Sequence, residues 1–365
     1  MPKADIRLAT ALAASVAALA IVTGCGSEDG ATSRERPSRA EDRLVFAAPT
    51  STRSPETVSI EVGGTPGAMV ATEEGVWAAV GSRVVRIDFA QNRVAASVPI
   101  EGSGFEIAAA EGSIWVTGST SPGASGDLLH RIDPKTDRVV ATIPLPGQYA
   151  GPLAAGEGAV WLALSDREDD SDSLAHIDPE TNEVALTVPL ELGGGWVEEV
   201  AATEGALWLL ALGARGNKER PGAVIRFDPE DRVAATIQAE ALNLGAGPGG
   251  LWISGCVDCA GHRDTFFAQE IDTRANAPAG ARVAVKKVGF GPLLVGEDSV
   301  WFSGYDGEEN TVAFSLDPET HAIEEFLQLG SFLHSDMAFD TERGAIWVAS
   351  APSSVVRVDL KPGPA

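Results

Sequence analysis

Seven copies of one Trp-to-Asp unit, a near-constant spacing between them, and an unpaired strand at each end of the series predict an all-β fold. The architecture these observations predict is a seven-bladed β-propeller of four-stranded blades. The units begin at Val76-Trp77, Ile114-Trp115, Val160-Trp161, Leu207-Trp208, Leu251-Trp252, Val300-Trp301 and Ile346-Trp347. Successive Trp residues lie 38, 46, 47, 44, 49 and 46 positions apart, close to the length of one propeller blade. The partner Asp residues are Asp88, Asp133, Asp178, Asp228, Asp272, Asp317 and Asp359.

Each unit reads as four strands, A to D. Strand A is a short apolar piece such as Ala108-Ala109-Ala110 or Leu153-Ala154-Ala155, followed by a Gly turn as in Glu111-Gly112-Ser113 and Glu204-Gly205-Ala206. Strand B carries the Trp, and strand C ends on the Asp. Four of the Asp residues precede Pro: Asp133, Asp178, Asp228 and Asp317. Asp followed by Pro is a type I turn signal, since Pro presets φ and the Asp side chain bonds the turn backbone. Strand D follows as RVAASVPI, RVVATIPL, EVALTVPL or RVAATIQA.

The ends set the blade count. The seventh unit stops after strand C, at Val358-Asp359-Leu360, whereas Val58-Ser59-Ile60-Glu61-Val62 reads as a strand D with no unit before it. Pairing the N-terminal strand with the C-terminal blade completes blade seven and removes an open sheet edge. The seven Trp residues are expected to fill the wedges between blades, and the seven Asp residues to build turns. Function is then expected where the repeat breaks.

The phrases Glu157-Gly158-Ala159-Val160-Trp161 and Ile132-Asp133-Pro134-Lys135-Thr136-Asp137-Arg138-Val139-Val140-Ala141-Thr142-Ile143-Pro144 resemble the repeats of NHL/YVTN-like propellers, nearest to the virginiamycin B lyase-like group. The resemblance covers residues 58–360 and implies fold more than activity, because these motifs are the ones that build blades.

The chain divides into three expected segments. Residues 1–24 read as a lipoprotein signal peptide: Lys3 and Arg7 precede an apolar run from Leu8 to Val22, and Val22-Thr23-Gly24-Cys25 resembles a bacterial lipobox. Cys25 is then the lipidation site, and the expected address is the outer side of the bacterial cell membrane. Residues 25–57 read as a disordered tether rich in Ser, Thr, Pro and charge, with Leu44-Val45-Phe46 its one run suited to local docking. Residues 58–361 form the propeller, expected as a monomer. The formal charge of −25 repels nucleic acid and anionic lipid headgroups, so membrane contact is expected through the anchor alone. The charge reads first as a solubilising surface of an exported protein, and otherwise as an attraction for cations or a basic partner.

In a propeller the D-to-A and B-to-C connections open on one face, around the mouth of the central channel. Off-pattern residues gather in the D-to-A segments: Phe105, Glu106, Tyr149, Trp196, Glu198 with Glu199, Asn243, Phe290, Phe332, His334 and Asp336. An aromatic-lined mouth with a few carboxylates suits a small molecule or a peptide; the competing reading is apolar plugging of the mouth. Residues 166–173 form an acidic insertion without EF-hand spacing, read as a solvated loop, and 215–220 form a basic one. Cys256 and Cys259 are read as a disulfide in an exported chain, in preference to a zinc site lacking a second Cys pair or a redox dithiol lacking a helix N-terminus.

Two functional readings stand. The first is a non-catalytic binding or interaction module, with no cofactor and an unidentified protein, peptide or small-molecule ligand at the channel mouth. The alternative is a metal-dependent enzyme. Resemblance to virginiamycin B lyase implies Mg²⁺ and a His base, and a lactone hydrolase would place Glu106, Glu198 and Asn243 around a divalent metal. The catalytic candidates are His334 and Glu198. His130 and His176 on strand C, and His321 in a turn, read as structural.

Overall fold

The computed structural model describes residues 44–46, 51–120, 126–146, 149–156, 158–166, 171–192, 195–203, 205–213, 222–228, 232–258, 262–286, 292–305, 310–330, 334–340 and 343–360. All regular structure among them is β. Four-stranded antiparallel sheets follow one another along the chain: blade one from Met69 to Pro99, blade two from Ser103 to Pro144, blade three from Tyr149 to Leu190 and blade four from Trp196 to Gln238. Blade five runs from Ala241 to Lys286, blade six from Leu293 to Gly330, and blade seven from His334 to Asp359. The fourth strand of blade seven is Thr57–Glu61, antiparallel to Ser354–Asp359 with Val58 opposite Arg357 and Ile60 opposite Val355. The chain therefore forms a seven-bladed propeller closed by its own two ends.

Local chemistry explains each blade. The A-to-B hairpin of blade two turns on Glu111 and Gly112, with φ of 47° and 65°. Two central residues at positive φ match the twist of antiparallel strands. At the C-to-D turn the repeat Asp accepts the amides two and three residues on: Asp88 from Ala90 and Gln91, Asp272 from Arg274 and Ala275, and Asp317 from Glu319 and Thr320. Four residues after five of the seven Asp residues the backbone turns left-handed, at Asn92, Asp137, Asn182, Asn276 and His321. Those amide donors hold Asp178, Asp272 and Asp317 below the usual carboxylate range.

The core is seven separate cores, one in each wedge between blades. Each contains one repeat Trp and the aliphatic face of the following blade. Trp77 packs with Ile107, Ile114 and Val116 of blade two, and Trp161 with Val197, Leu207 and Phe227 of blade four. Trp347 of blade seven packs with Val76, Ala78 and Ile87 of blade one, which closes the ring. All seven repeat Trp residues are buried. No blade can bury both its faces alone, so stability comes from stacking.

A second network, on the turn side of the wedges, links blade one to two, two to three, four to five, five to six and seven to one. In four blades strand C presents, two residues before the Asp, an Arg that lies over its own blade's Trp and reaches the turn of the following blade. Arg86 bonds Asp137 at 2.7 Å, Arg131 bonds Asn182 at 2.9 Å, and Arg226 bonds Asn276 at 3.3 Å. Blade five reverses the polarity: Glu270 meets His321 of blade six at 3.3 Å, and the His321 ring stacks edge-on against Trp252. The Arg-x-Asp recurrence is plain in the sequence, but its inter-blade role needs the neighbouring blade.

The stretch 25–57, expected to be a disordered tether, contributes strands. Leu44–Phe46 runs parallel to the outer strand of blade five, Ala277–Lys286, and Ser51–Arg53 runs parallel to the outer strand of blade six, Ile323–Gly330. The outer edge of each blade offers unpaired backbone groups, and an adjacent segment in extended form can pair with them. Arg53 makes the second contact specific. Its Nε and Nη2 each meet a Glu325 oxygen at 3.2 Å, and Nη2 also donates to the Leu360 carbonyl. The signal-peptide residues and Cys25 lie outside the described residues; among those described, no helix is long and apolar enough to cross a membrane.

Candidate functional site in the central channel

Strand A of every blade contacts strand A of the next, so these seven strands form the inner ring. Five of them depart from regular pairing, and the departures fall at equivalent points. The ladder slips between Gly104 and Ile107 in blade two, Ala150 and Leu153 in blade three, and Val197 and Glu199 in blade four. It slips again between Ala241 and Asn243 in blade five and between His334 and Met337 in blade seven. A bulge leaves its residues out of the ladder and re-aims their side chains. Phe105 and Glu106 occupy the first of these bulges, Glu198 the third and Asp336 the last.

The carboxylates that the bulges present act on one another. Burial raises Glu106, and Glu198 adds to the shift. Burial pushes Glu199 up to about 8, against the amide of Leu244 that it accepts, with Glu198, Glu106 and Asp336 adding further repulsion. Burial likewise pushes Asp336 up to about 7; the amides of Met69 and Met337 work against it, and Glu106 adds to it. These three side chains keep some accessible surface along the channel, but protein encloses them on nearly every side, and the enclosure sets the desolvation. Blades two, four and seven, more than a hundred residues apart in sequence at the extremes, thus bring their acids to one electrostatic centre.

Two of these acids also join blades. Asp336 of blade seven takes the Met69 amide of blade one at 2.7 Å, and Glu199 of blade four takes the Leu244 amide of blade five. Glu198 is exposed and accepts the Trp196 indole N–H at 2.7 Å, which fixes the one Trp outside the repeat. Phe105 is 41% exposed, unusual for a Phe in a strand. Asn243 sits on strand A of blade five and donates to Ser254 Oγ at 3.0 Å. Tyr149 and His334 begin strands A of blades three and seven, with side chains outside the described residues. Phe290, Phe332, Cys259 and the loop 215–220 also lie outside them.

The remaining candidates divide clearly when placed in the fold. His130 is buried, with Nε2 2.9 Å from the Glu101 carbonyl and Nδ1 3.1 Å from Thr142 Oγ1, and burial lowers its pKa. His176 stacks on Trp161 with ring centroids 4.7 Å apart. The acidic insertion of blade three is not wholly a solvated loop: Ser171–Asp178 is strand, and Asp172 is buried, accepting Ser165 Oγ and the Val197 amide of blade four. Cys256 is buried on strand B of blade five. Among the described residues, no three His, Cys, Asp or Glu side chains are grouped so as to hold a metal ion. Glu199, off-pattern beside Glu198 in the sequence, is the one of that pair whose carboxyl burial raises and which bonds the next blade.

The fold has many solved counterparts. A chain in a structure titled "Crystal Structure of Mitotic Checkpoint Complex" superposes with a TM-score of 0.64 at 11% identity, over 92% of this chain and 100% of that one. The "Structure of U3-55K" gives 0.62 at 9% identity, over 84% and 100%. The "Crystal structure of RRP9 WD40 repeats" gives 0.64 at 8% identity, over 85% and 99%. At these identities the likeness is one of fold. No protein-family model and no curated protein matches the sequence.

Proposed function

We propose that this chain is a non-catalytic binding module that takes a small molecule or peptide at the mouth of its channel. On this reading it is carried at the outer side of a bacterial cell membrane by a lipid on Cys25. The observation that carries the proposal is the use of strand A bulges in blades two, four and seven to present Glu106, Glu198 and Asp336. Bulges recur where a sheet re-aims side chains for a task, and a rigid ring with an aromatic, acidic mouth is a ready-made ligand site. The propeller fold supports an interaction role, and the lipobox-like Val22-Thr23-Gly24-Cys25 supports the address.

The binding reading has a direct probe in Trp196, which is half-buried while the other seven Trp residues lie in the wedges. A ligand at the mouth perturbs the Trp196 indole resonance in a ¹⁵N spectrum of the protein screened against a peptide and metabolite library. If every library member that binds shifts only wedge or surface signals, the mouth is not the site. Cys25→Ala is expected to release the chain from the membrane fraction; retention there would contradict the anchor. A disulfide between Cys256 and Cys259, closing the blade five B-to-C hairpin, belongs to the same proposal and contributes only about 2 kcal/mol on the chain-entropy model.

The enzymatic alternative draws on one observation, the raised carboxyls of Glu199 and Asp336, since general acids and bases work with pKa values near the operating pH. A lyase or lactone hydrolase of this kind would use His334 and Glu198, with a divalent metal.

A further inference from the structure

The channel acids have no counter-cation among the described residues. The charges that act on Glu106, Glu199 and Asp336 are those of Glu106, Glu198, Glu199 and Asp336 themselves. Three of the four have a hydrogen-bond donor: Leu244 for Glu199, Met69 for Asp336 and the Trp196 indole for Glu198. Glu106 is different. Its amide is taken by Thr117 Oγ1 at 3.0 Å, so the bulge backbone is satisfied, but no described residue donates to its carboxylate. That side chain is only partly exposed, and burial raises its carboxyl. A part-buried carboxylate to which no described residue donates is a place where a ligand can supply the donor.

The aromatic groups lie beside the acids. Phe105 precedes Glu106 in the same bulge, and Trp196 is bonded to Glu198 through its indole N–H, which leaves the ring faces free of that bond. Ring faces attract organic cations. A bare metal ion fits less well, because the acids arrive from three blades and are not gathered at ion-coordination spacing. A cation of several atoms can span them. The charge of −25 on the chain draws such a ligand in.

We propose that the ligand of the channel mouth is an organic cation whose ammonium or guanidinium group donates to Glu106, with Glu198 balancing its charge and Trp196 and Phe105 packing on its carbon skeleton. This rests on the binding reading above and names the chemistry of its ligand. The cation is either a free amine or a basic side chain of a peptide.

The test is calorimetric titration of the propeller at physiological salt with four probes: spermidine, a capped Gly-Gly-Arg-Gly-Gly peptide, its Gln counterpart, and calcium chloride. Spermidine or the Arg peptide is expected to bind, the first pointing to a free amine and the second to a protein side chain. Glu106→Gln is expected to weaken that binding by roughly tenfold or more. Glu198→Gln, at an exposed position, gives the same direction if Glu106→Gln does not fold. Equal binding of the Gln peptide would overturn the cation while leaving the mouth a binding site. Binding that neither variant weakens would place the cation elsewhere on the acidic surface. Calcium as the sole ligand, or no binding by any probe, would also overturn the proposal, and the Trp196 screen then decides separately whether the mouth binds anything.

Discussion

Arg357, on the last strand of the chain's last blade, donates to Asn92 Oδ1 of the first blade at 3.2 Å. The same guanidinium reaches the Phe89 carbonyl at 3.2 Å, pairs with Asp359 at 2.7 Å and lies over the Trp347 ring at 5.9 Å. It is the ring-closing member of a series that includes Arg86, Arg131 and Arg226. A planar fork with several donors can stack on the Trp and bond two turn acceptors at once, which an ammonium cannot do.

Arg357→Ala is therefore expected to destabilise the propeller by about 2–3 kcal/mol, and Arg357→Lys to recover less than half of that. The measurement is the urea midpoint at unchanged slope. A Lys variant as stable as the parent would show that only the charge matters.

The N-terminal strap makes a comparable prediction on the other side of the seam. Arg53 joins Glu325 of blade six to the Leu360 carbonyl at the end of blade seven. Arg53→Ala is expected to cost about 1–2 kcal/mol and to raise amide exchange at Glu325–Leu327, the residues paired with Ser51–Arg53. Unchanged exchange there would mean that the strap does not depend on this contact.

Wedge Trp residues are not equivalent. Trp208 Nε1–H donates to Thr203 Oγ1 at 2.9 Å, whereas Trp161 Nε1 is buried with no hydrogen-bond partner among the described residues. Truncation of either to Ala is expected to cost about 3–5 kcal/mol through the cavity it leaves. Substitution by Phe should separate them, with Trp208→Phe the more damaging by about 1 kcal/mol. Equal losses in chemical denaturation would contradict this.

The channel acids give a pH dependence of defined sign. Glu199 and Asp336 lie at about 8 and about 7 in the folded chain, above their ordinary values of 4.5 and 3.8. The folded state therefore holds protons that the unfolded chain has released, and stability falls as pH rises. Their contribution is complete below about pH 4 and is lost as pH passes through 7 and 8. Glu199→Gln keeps an oxygen for the Leu244 amide and removes one titration, so its melting temperature should fall less steeply between pH 5 and pH 8 than the parent's. An identical slope in thermal melts would rule out Glu199 as a source of the dependence.

Much of this architecture is legible because it is local. Trp115 and Asp133 sit in a repeat whose turns are set by the chemistry of a few adjacent residues, as at Glu111-Gly112 and Asp272. The missing strand D of the last unit is visible as Val58–Val62, and the structure pairs Thr57–Glu61 there. The strap at Ser51–Arg53 was not legible, because a polar segment with little burial of its own becomes a strand only when an edge is offered. The candidate site was legible as a set of off-pattern residues, Phe105, Glu106, Trp196, Glu198 and Asp336. What they do together was not.

The sequence by itself determined seven blades, their order and the residues that interrupt the repeat, since hairpin turns and strand patterning act over short stretches of chain. Only the tertiary structure decided that Glu106, Glu199 and Asp336 feel one another and that no described residue donates to Glu106. Those facts depend on the closing of the ring, which brings distant blades to one axis and partly buries the acids that line it. Desolvation and repulsion follow spatial neighbours, and in this fold the neighbours of an inner-strand residue come from every part of the chain.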